Sequence, residues 1–586
     1  MIIKQRASIQ YDNTLIQILT TRGVPASDVL RYTKASLETE VNSPQAFGGE
    51  LMEAAIKVLI RHIQSDHKAL VVVDCDVDGN TSAAALLNYL HKLFPAWVEN
   101  KVDYCFHEGK EHGLQDIVEY LNETNYSLII CPDSASNDTD ECKILTEDCI
   151  DILILDHHDF DKKNPYATII NNQKGYSEYP NKALSGVGVV WQFCRAIDQL
   201  MNTNYADDLL DLVAIGLIGD MMDLRSLETR ALITAGLQNL HNPYIYYMAQ
   251  RNAFKLGSKI TPIGAAFYIV PLLNAIQRSG TQEEKKLVFE SMLEYKAFQK
   301  ILSTKRGHKP GETEQLVEQA VRVSTNVKNR QTKVQDASLE ALEKKIEDEH
   351  LLDHKVLLLL LDDDNIPKEV RGLIANKFMA KYQRPCCLLT KEKEDNSYSG
   401  SARGCTLAGL EDFKQLCLDT ECIEYAVGHP NAFGLKIYES NIEDFIEKTD
   451  KALKDMSNEA IYYVDYIFEG QNCNPQIILD IANMSDYWGS EIDEALVAVN
   501  GLKVTKDMVD IYRKTTNTIK ISLSNGVSIM KFNADEELCS KLTDNNTGFV
   551  ELDICGKCNQ NEWNGNITPQ IFIEDYNIID SNKYYF

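Results

Sequence analysis

The sequence predicts an α/β protein in which a parallel-sheet domain is followed by a helical connector, a second α/β domain and a small C-terminal β-barrel. Three observations indicate this fold class. Aliphatic strand-like runs alternate with helix-like runs in residues 49–235, which is typical of a parallel sheet covered on both faces. Residues 236–350 are charged and helix-like. The remainder opens with a second strand–helix pattern and closes with strand-rich sequence.

The length of the chain supports several domains. With 586 residues, 44% of them hydrophobic, it exceeds what one compact core normally holds. A mixed, mostly helical segment precedes the first domain. The predicted boundaries are 1–48 for this N-terminal segment, 49–235 for the first domain, 236–350 for the connector, 351–450 for the second α/β domain and 451–586 for the barrel.

Each predicted strand of the first domain runs into a polar cluster. The aliphatic runs are ALVVV, SLIIC, DILIL and DLVAIGLI, and the sequences that follow them are DCDVDG, PDSAS, DHHDF and GD. In open parallel sheets, ligands bind beyond the carboxyl ends of the strands. The clusters therefore mark the predicted functional edge of this sheet.

The later elements follow from similar patterns. KVLLLLL opens the second α/β domain, and EYAVGHPNAFGLKI closes it with a predicted glycine-rich turn. In the tail, the turn Ser524-Asn525-Gly526 separates two strand-like runs, which predicts a β-hairpin. Further strand-like runs after it favour a small antiparallel barrel.

Composition favours a cytoplasmic protein with no membrane association. The start, MIIKQRASIQYDNT, lacks the features of a signal peptide. The longest aliphatic run, Val356 to Leu361, is far shorter than the ~20 residues that span a bilayer. Fifteen cysteines show no repeating framework, which predicts reduced thiols in a cytosol. The lone pair Cys555 and Cys558 has no second ligand pair nearby and is predicted to be structural.

The net charge raises an objection to nucleic acid as a partner. The chain carries 59 basic and 87 acidic residues, a net charge of −28, whereas phosphate binding favours basic surfaces. A local basic surface, or divalent cations bound to carboxylates, would reverse the sign where it matters. The sequence leaves this point open.

The acidic clusters carry the predicted chemistry. Carboxylates that lie close together repel each other unless protons or cations intervene, and carboxylates with imidazole suit Mn²⁺ or Mg²⁺. Two such ions ~3.5–4 Å apart can polarise a phosphoryl oxygen and generate hydroxide. We expect Asp133 to bridge them, and Thr81 or Ser82 to cap the helix after the first cluster. The clusters are Asp74-Cys75-Asp76-Val77-Asp78, Pro132-Asp133, Asp156-His157-His158 and Gly219-Asp220.

Each cluster alone also has an ordinary structural interpretation. A single Asp at a strand end is commonly a cap or turn residue. The first cluster also resembles part of an EF-hand loop, but Ala85 stands where that loop needs glutamate. Four clusters at successive predicted strand ends favour a metal site over four separate caps.

These clusters resemble the motifs of the DHH phosphoesterase superfamily, named for a triplet like Asp156-His157-His158. Its first motif is matched by the Asp74–Ser82 segment, its second by Asp133 and its fourth by Asp220 within GLIGDMMDL. The resemblance implies metal ligands, a carboxylate (Asp156) that orients a ligand, and a histidine (His158) that contacts the scissile phosphate. The implied ligands are Asp76, Asp78, Asp133, His157 and Asp220, with Asp74 as a further candidate, and the implied catalytic residues are Asp133, Asp156 and His158.

Further segments resemble the RecJ-like branch of this superfamily. They include the turn Gly186-Val187-Gly188 between motifs three and four, Arg230 after motif four, and NEWNG near the end of the chain. The branch implies a DHH domain, a DHHA1 substrate domain and an OB-like barrel. Trp563 would stack on a base, with a buried core position as the equal alternative. The implied substrate-binding residues are His107, Asn274, Arg278, Ser401, Arg403, Gly428, His429 and Trp563.

The chain departs from the family pattern at four places. Its second motif reads Asp133-Ser134-Ala135, where the family usually has Asp-Asn-Gly. His107 stands where RecJ-like proteins carry an arginine before a glycine-rich turn, Leu272 replaces a second arginine, and Val427 replaces a glycine. Histidine is a weaker phosphate partner than arginine at neutral pH. The departure at His107 therefore puts a preference for a 5′-phosphorylated end in doubt.

The resemblance implies a 5′→3′ exonuclease that hydrolyses single-stranded DNA in recombination or repair, with two Mn²⁺ or Mg²⁺ ions. It implies a monomer that binds single-stranded DNA, with a single-strand-binding protein or a helicase as candidate partners. Two alternatives stay open: a phosphodiesterase acting on short RNA or cyclic dinucleotides, and a catalytically silent nucleic-acid-binding scaffold.

Overall fold

The computed structural model describes residues 1–107, 113–115, 117, 125–362, 365–393, 395–457, 459–543 and 548–580. The chain forms two compact units. The parallel-sheet unit contains residues 22–329 and 485–493, and the mixed-sheet unit contains residues 1–21, 330–484 and 494–586. The α/β class with a helical middle region is confirmed.

The parallel-sheet unit is built on five parallel strands in the order β3-β2-β4-β5-β6. The central strands are aliphatic and fully buried, as a sheet covered on both faces requires. The strands are β2 (Ala69–Val73), β3 (Val102–Phe106), β4 (Leu128–Pro132), β5 (Asp151–Asp156) and β6 (Thr168–Asn171).

Helices cover this sheet and continue along the chain. They are α2 (Val29–Thr33), α3 (Leu37–Glu40), α4 (Gly49–Gln64), α5 (Val77–Leu93), α6 (Pro95–Lys101), α7 (Thr139–Glu147), α8 (Gly186–Met201), α9 (Leu210–Gly219) and α10 (Leu227–Gln238), preceded in the chain by α1 (Thr14–Thr21). Every residue of α5 from Val77 to Leu90 is buried. This central position explains why its first turn can hold functional side chains rigidly.

The run DLVAIGLI corrects one prediction, because it forms α9 and not a strand. Asp211 to Ile218 are all buried, and a helix that is buried on every side loses the 3.6-residue polarity pattern. A short apolar run of this kind cannot be told from a buried strand by periodicity.

The predicted helical connector is mostly helical. Its helices are α11 (Pro243–Arg251), α12 (Ala253–Leu256), α13 (Pro262–Tyr268), α14 (Val270–Ser279), α15 (Gln282–Met292) and α16 (Leu316–Asp348). An antiparallel pair, β7 (Lys300–Leu302) and β8 (Thr313–Gln315), interrupts them. No sequence pattern predicted this hairpin, since its strands are only three residues long.

The mixed-sheet unit contains a five-stranded sheet in the order β12-β13-β11-β10-β9. Only β9 and β10 are parallel. The predicted glycine-rich turn in EYAVGHPNAFGLKI is instead the hairpin β12–β13. The elements are β9 (Leu357–Leu361), α17 (Lys368–Tyr382), β10 (Cys386–Lys391), β11 (Ser397–Arg403), α18 (Phe413–Asp419), β12 (Ile423–His429), β13 (Ala432–Tyr438) and α19 (Ile442–Ala452).

The tail forms a seven-stranded sheet in the order β15-β16-β20-β21-β19-β18-β17. The predicted hairpin through Gly526 is confirmed, because it joins β18 to β19. The sheet is mixed and not purely antiparallel, since β15–β16 and β19–β21 pair in parallel. The elements are β15 (Tyr466–Glu469), α20 (Pro475–Ala482), β16 (Leu496–Val504), β17 (Val509–Arg513), β18 (Asn517–Ser522), β19 (Ser528–Ala534), α21 (Glu536–Thr543), β20 (Val550–Trp563) and β21 (Asn566–Asp580).

The N-terminal segment is less helical than predicted. Its first element is the strand β1 (Ile2–Gln5), which pairs in parallel with β14 (Ile461–Val464). Residues 1–21 belong to the mixed-sheet unit and residues 22–48 to the parallel-sheet unit. The domain boundaries given above stay predictions.

The cysteines of the described residues are all free thiols. Cys555 and Cys558 lie buried in β20, and burial raises the pKa of the Cys555 thiol to about 12. Among the described residues, no helix is both long and apolar enough to cross a membrane.

Candidate metal centre

Three of the four acidic clusters meet at the carboxyl edge of the parallel sheet. Asp74 follows β2, Asp133 follows β4 and Asp156 ends β5, and these strands are direct neighbours in the order β2-β4-β5. Asp133 has a φ of 71°, a left-handed conformation that aspartate tolerates better than most residues. Its amide donates to the carbonyl of Leu155 at 2.8 Å, which holds the carboxylate at this edge.

The first cluster is fixed by the start of α5. Asp76 is the N-cap, and its side chain accepts a hydrogen bond from the amide of Gly79 at 2.9 Å. Thr81 and Ser82 do not cap the helix as predicted; the Thr81 hydroxyl donates to the carbonyl of Asp78 at 3.1 Å within the helix. A side chain at Gly79 would place its Cβ 2.4 Å from the Cβ of Asp74. Only glycine therefore lets the first turn of α5 lie this close to Asp74.

Asp78 is clamped by the start of α8. Its carboxylate accepts hydrogen bonds from the Ser185 hydroxyl at 2.9 Å and from the amides of Gly186 at 2.6 Å and Val187 at 3.3 Å. The predicted Gly186-Val187-Gly188 turn is therefore a helix N-terminus, whose free amides favour an anion. Ser185 and Gly186 were not predicted as site residues. A serine before Gly-Val-Gly and an apolar helical run was the available signal.

Asp220 reaches the same place from a helix end. It is the C-cap of α9, and its carboxylate oxygen lies 3.3 Å from Nε2 of His157. The same nitrogen lies 3.2 Å from Oδ1 of Asp133 and 3.9 Å from Oδ2 of Asp78. His157 therefore stands at the centre of carboxylates contributed by three separate elements.

The six predicted ligands are brought together. Within each of three overlapping groups, the candidate ligand atoms lie within 4.8 Å of one another. Asp133 and His157 each belong to two groups, which is the arrangement expected where neighbouring ions share ligands. The groups are Asp74, Asp76 and Asp133; Asp78, His157 and Asp220; and Asp133, His157 and His158.

The electrostatics of the cluster fit a cation. Burial and the neighbouring Asp76 carboxylate raise the pKa of Asp74 to about 8, and burial with Asp78 raises the pKa of Asp220 to about 8. Burial and the surrounding carboxylates also raise the pKa of Asp133 well above its usual range. Burial and mutual repulsion therefore disfavour the ionised form of all three carboxyls, and a bound divalent cation would remove that penalty.

The donor atoms also fit a divalent ion. Burial lowers the pKa of His157, so its imidazole is neutral and can act as a ligand. Its Nε2 and Oδ1 of Asp133 are buried and form no hydrogen bond within the described part of the chain, although they are 3.2 Å apart. Buried polar atoms that point at a common space without hydrogen bonds are typical of ligands. Carboxylate oxygens with one imidazole suit Mn²⁺, or Mg²⁺ where carboxylates dominate.

Asp156 and His158 form a hydrogen-bonded pair beside the cluster. The Asp156 carboxylate accepts from Nδ1 of His158 at 2.8 Å and from the amides of Ser136 and His157 at 3.2 and 2.7 Å. Burial opposes ionisation of Asp156, but these donors outweigh it and lower its pKa. Burial likewise opposes protonation of His158, but the Asp156 carboxylate raises the His158 pKa to about 9. His158 is therefore a cation at neutral pH, with a side chain 42% exposed.

The other predicted residues of this unit lie on two elements. His107 is buried directly after β3, and its Nε2 lies 3.9 Å from a carboxylate oxygen of Asp74. The predicted turn after it includes residues 108–112, which lie outside the described residues. Asn274 and Arg278 are one turn apart on α14, and Arg278 is exposed.

Four predicted residues lie on the five-stranded sheet of the mixed-sheet unit. Ser401 and Arg403 alternate along β11 and so share one face. A Cβ at Gly372 would meet Nη2 of Arg403 at 2.4 Å and Oγ of Ser401 at 3.5 Å, so this glycine opens the space in front of both. Gly428 and His429 end β12, and both are exposed.

Trp563 lies at the end of the long β20–β21 hairpin, opposite Asn566. Its side chain is 73% exposed. This exposure rules out the alternative that Trp563 is a core residue.

A segment from late in the chain supports the loop that follows Asp220. The Ser490 hydroxyl donates to the carbonyl of Met221 at 2.5 Å, and the Leu224 amide donates to the Ser490 carbonyl at 3.2 Å. The Arg230 guanidinium lies between the rings of Tyr32 and Tyr487, 4.6 and 4.5 Å from their centroids. The sequence analysis assigned no role to Arg230. In the structure, Arg230 is a structural cation that packs between these two tyrosine rings.

Substitution of Gly186 tests how tightly the cluster is packed. A Cβ there would lie 2.3 Å from Oδ1 and 2.4 Å from the Cβ of Asp133. We expect Gly186→Ala to weaken Mn²⁺ binding at least tenfold and to lower the free energy of unfolding by ~1–3 kcal/mol, measured by calorimetric titration and denaturant unfolding. Gly49→Ala is the control, because a Cβ at that helix start meets nothing within 4 Å. Unchanged Mn²⁺ affinity in Gly186→Ala would contradict the described packing.

Two parts of the chain match known families. Residues 68–217 match the DHH family, N-terminal domain, and residues 464–575 match the RecJ OB domain. The first match contains all six carboxylate and imidazole candidates except Asp220. The second covers most of the seven-stranded sheet.

Whole-chain comparisons agree with these matches. The chain is 32% identical over 536 residues to a protein of Bacillus subtilis (strain 168) named as an SPbeta prophage-derived single-strand DNA-specific exonuclease, YorK, covering 91% of each chain. It is 25% identical over 572 residues to the single-stranded-DNA-specific exonuclease RecJ of the same organism, covering 95% of this chain and 67% of that one. The fold is similar to the crystal structure of RecJ in complex with Mn²⁺ from Thermus thermophilus, with a TM-score of 0.70, 18% identity, and 99% and 80% of the two chains covered.

Proposed function

The chain belongs to the RecJ-like branch of the DHH phosphoesterase superfamily, and from this premise we propose that it is a 5′→3′ exonuclease that hydrolyses single-stranded DNA. One observation carries the proposal: five carboxylates and two imidazoles, from four separate stretches of the sequence, form three overlapping groups whose ligand atoms lie within 4.8 Å of one another. A catalytically silent scaffold would have no need to keep buried carboxylates whose burial raises their pKa. The names of the relatives supply the substrate class.

The proposed cofactor is a pair of Mn²⁺ or Mg²⁺ ions. Asp74, Asp76 and Asp133 would hold one ion, and Asp78, His157 and Asp220 the other. When bound, such ions supply Lewis-acid polarisation of the phosphodiester and an activated water. Asp78 would keep its orientation through the α8 amides, and the sheet edge would keep Asp133 in place.

His158 and Asp156 would work as a unit. The Asp156 carboxylate keeps the proton on Nδ1 of His158 through the 2.8 Å hydrogen bond. The protonated imidazole would then donate from Nε2 to a non-bridging oxygen of the scissile phosphate. This contact strengthens as negative charge develops on the phosphoryl group, so it would favour the transition state over the bound substrate.

Substrate binding and direction are assigned to residues outside the cluster. Ser401 and Arg403 would hold the terminal 5′ phosphate, since a guanidinium fork matches phosphate geometry. His107, Asn274 and Arg278 would contact the nucleotides at the cleavage site. Gly428 and His429 would contact a backbone phosphate, and Trp563 would stack on a base.

The cellular setting is part of the proposal. We propose a monomeric, cytoplasmic enzyme that acts in recombination or repair. A single-strand-binding protein or a helicase stays a candidate partner.

One assay separates this proposal from its alternatives. Purified protein with Mn²⁺ is incubated with strands labelled at the 5′ or the 3′ end, with duplex DNA, short RNA and a cyclic dinucleotide. We expect mononucleotide release from the 5′ label first and no cleavage of blunt duplex. Preferential hydrolysis of the RNA or cyclic dinucleotide would replace the proposal with the phosphodiesterase alternative, and no hydrolysis of any substrate would favour the scaffold.

Arg403 offers a test of the 5′ phosphate pocket. We expect Arg403→Ala to raise the KM for 5′-phosphorylated strands about tenfold or more with little change in kcat, because losing a charged hydrogen bond costs ~1.5–3 kcal/mol. Steady-state kinetics on 5′-phosphate and 5′-hydroxyl strands would show the loss only with the phosphate. Arg403→Lys keeps the charge but not the guanidinium fork, so its KM for 5′-phosphorylated strands should lie between those of the wild type and Arg403→Ala. An equal KM change on both substrates would argue against this pocket.

A further inference from the structure

The β7–β8 hairpin is a basic element on an acidic protein. Residues 300–315 contain four Lys or Arg residues, one His and two Glu residues, Glu312 and Glu314, in a chain whose net charge is −28. We define the basic hairpin as residues 300–315. Its loop is residues 303–312, and residues 304–312 of this loop are all exposed.

A buried ion pair holds the root of the hairpin in shape. The Glu314 carboxylate accepts two hydrogen bonds from Arg322 at 2.7 and 2.6 Å and one from the Thr304 amide at 3.0 Å. These bonds, Arg322 first, lower the pKa of Glu314 to about 2. Lys305 also pairs with Glu314, at 3.4 Å. The hairpin is therefore pre-organised, and the charges of Lys305, Glu314 and Arg322 stabilise its root.

Three other cations of the hairpin are not used in this way. Lys300, Arg306 and Lys309 are exposed, and none forms an ion pair with any residue the structure describes. Apolar surface accompanies them: Leu302 in β7 is 70% exposed and Phe298, just before β7, is 52% exposed. Exposed cations beside an exposed aromatic ring form the combination that binds single strands, through phosphates and base stacking.

The hairpin is rooted away from the metal centre. The segment leading to it packs on the C-terminal part of α5, where the Glu294 amide donates to Asn88 at 2.8 Å and Tyr295 stacks on His91 with centroids 3.9 Å apart. Asp78 lies in the first turn of the same helix, about 20 Å away at 1.5 Å per residue. A strand bound at both places would touch the hairpin with nucleotides several positions from the scissile bond.

We propose that the basic hairpin binds the sugar–phosphate backbone of the substrate strand, several nucleotides from the cleaved bond and without regard to sequence. This inference rests on the proposed function, since it names a second contact for the same substrate. It also answers the objection raised by the net charge, because the cations are concentrated where a long strand needs them. The contact would increase affinity for long strands and leave short ones unaffected.

The test uses the full-length protein with Arg306→Ala/Lys309→Ala. Binding of a strand of about 40 nucleotides and of one of about 6 is measured by fluorescence anisotropy in Ca²⁺ across a range of salt concentrations. The salt slope is the slope of log K against log salt concentration, and loss of two phosphate contacts should reduce its magnitude by ~1.4. For the long strand at low salt we expect affinity to fall about tenfold, while hydrolysis of the short strand changes less than twofold. Arg306→Lys/Lys309→Arg should match the wild type.

The matched control removes two exposed lysines from another surface, Lys451→Ala/Lys454→Ala at the end of α19. It should leave the slope for the long strand unchanged. An unchanged slope in Arg306→Ala/Lys309→Ala would overturn the proposal, and so would an equal loss for both strand lengths. The proposal would also be overturned if Arg306→Ala/Lys309→Ala weakened binding of oligoglutamate but not binding of DNA. That result would assign the surface to an acidic protein partner. Failure of the wild type to cleave any strand would contradict the proposed function, while the salt slope would still decide the role of the hairpin.

Discussion

Asp133→Asn is expected to reduce cleavage of single-stranded DNA by about 10³-fold or more while leaving the protein folded. The substitution keeps the shape of the side chain and removes the charge that two ligand groups share. Metal ions contribute several kcal/mol of charge stabilisation to phosphoryl chemistry, and each 1.36 kcal/mol is a factor of about ten in rate. The measurements are hydrolysis of an end-labelled strand in Mn²⁺ and calorimetric titration of Mn²⁺.

The stability of this variant gives an independent readout. Burial and neighbouring carboxylates raise the pKa of Asp133 well above its usual range, so its ionisation opposes folding of the metal-free protein. We therefore expect Asp133→Asn to unfold at the same temperature as the metal-free wild type or above it. Near-wild-type cleavage by this variant in Mn²⁺ would refute the assignment of Asp133.

A matched control uses a buried aspartate away from the cluster. The carboxylate of Asp198 accepts hydrogen bonds from the Tyr89 hydroxyl at 3.0 Å and the Ala206 amide at 2.8 Å. We expect Asp198→Asn to lower stability and to keep the wild-type activity per folded molecule. Asp133→Asn should thus lose activity and keep its stability, whereas Asp198→Asn should lose stability and keep its activity.

Asp156→Asn is expected to move the alkaline limit of activity to lower pH. The carboxylate raises the His158 pKa to about 9; without it the pKa should fall to the usual 6.5 or below, because burial opposes protonation. At pH 8 the protonated fraction of His158 would then fall about 30-fold. NMR titration of the His158 ring in metal-free protein, with kcat/KM against pH in Mg²⁺, measures both effects.

The stability of the pair has a defined pH window. Because the folded pKa of His158 is raised, its contribution is complete below pH 6.5 and is lost as the pH rises towards 9. Because the folded pKa of Asp156 is lowered, its contribution is present above 3.8 and is lost as the pH falls below that value. Wild type should therefore lose stability between pH 6.5 and 9 relative to Asp156→Asn.

A double-mutant cycle tests whether the two residues act together. If Asp156 acts through His158, then Asp156→Asn should have little further effect in a His158→Gln background. Additive losses, or an unchanged alkaline limit in Asp156→Asn, would show that Asp156 has only a structural role.

Much of the site was predictable because its signals are local. Asp74, Asp133 and Asp156 directly follow buried aliphatic runs, and parallel strands bring such ends to one edge. The sequence places Asp220 in the cluster, where the structure has it, but for the wrong local reason, since α9 is buried on all sides and its sequence resembles a strand. The exposure of Trp563 was undecided because a hairpin end and a core position can carry the same residue.

The sequence by itself determined the α/β class, the family motifs and the set of residues that gather at the metal centre. These follow from patterns of a few residues each and from chain order. Only the tertiary structure decided how Asp78 is clamped by the amides of α8, why Gly186 must lack a side chain, and how Ser490 supports the loop after Asp220. The contact between Gly186 and Asp133 joins residues 53 positions apart, and the hydrogen bonds at Asp78 and Ser490 join residues 108 and 269 positions apart. No local pattern encodes such distances. The basic hairpin was likewise decided by the tertiary structure. Only the fold determines that Glu314 pairs with Arg322 while Arg306 and Lys309 stay exposed to solvent.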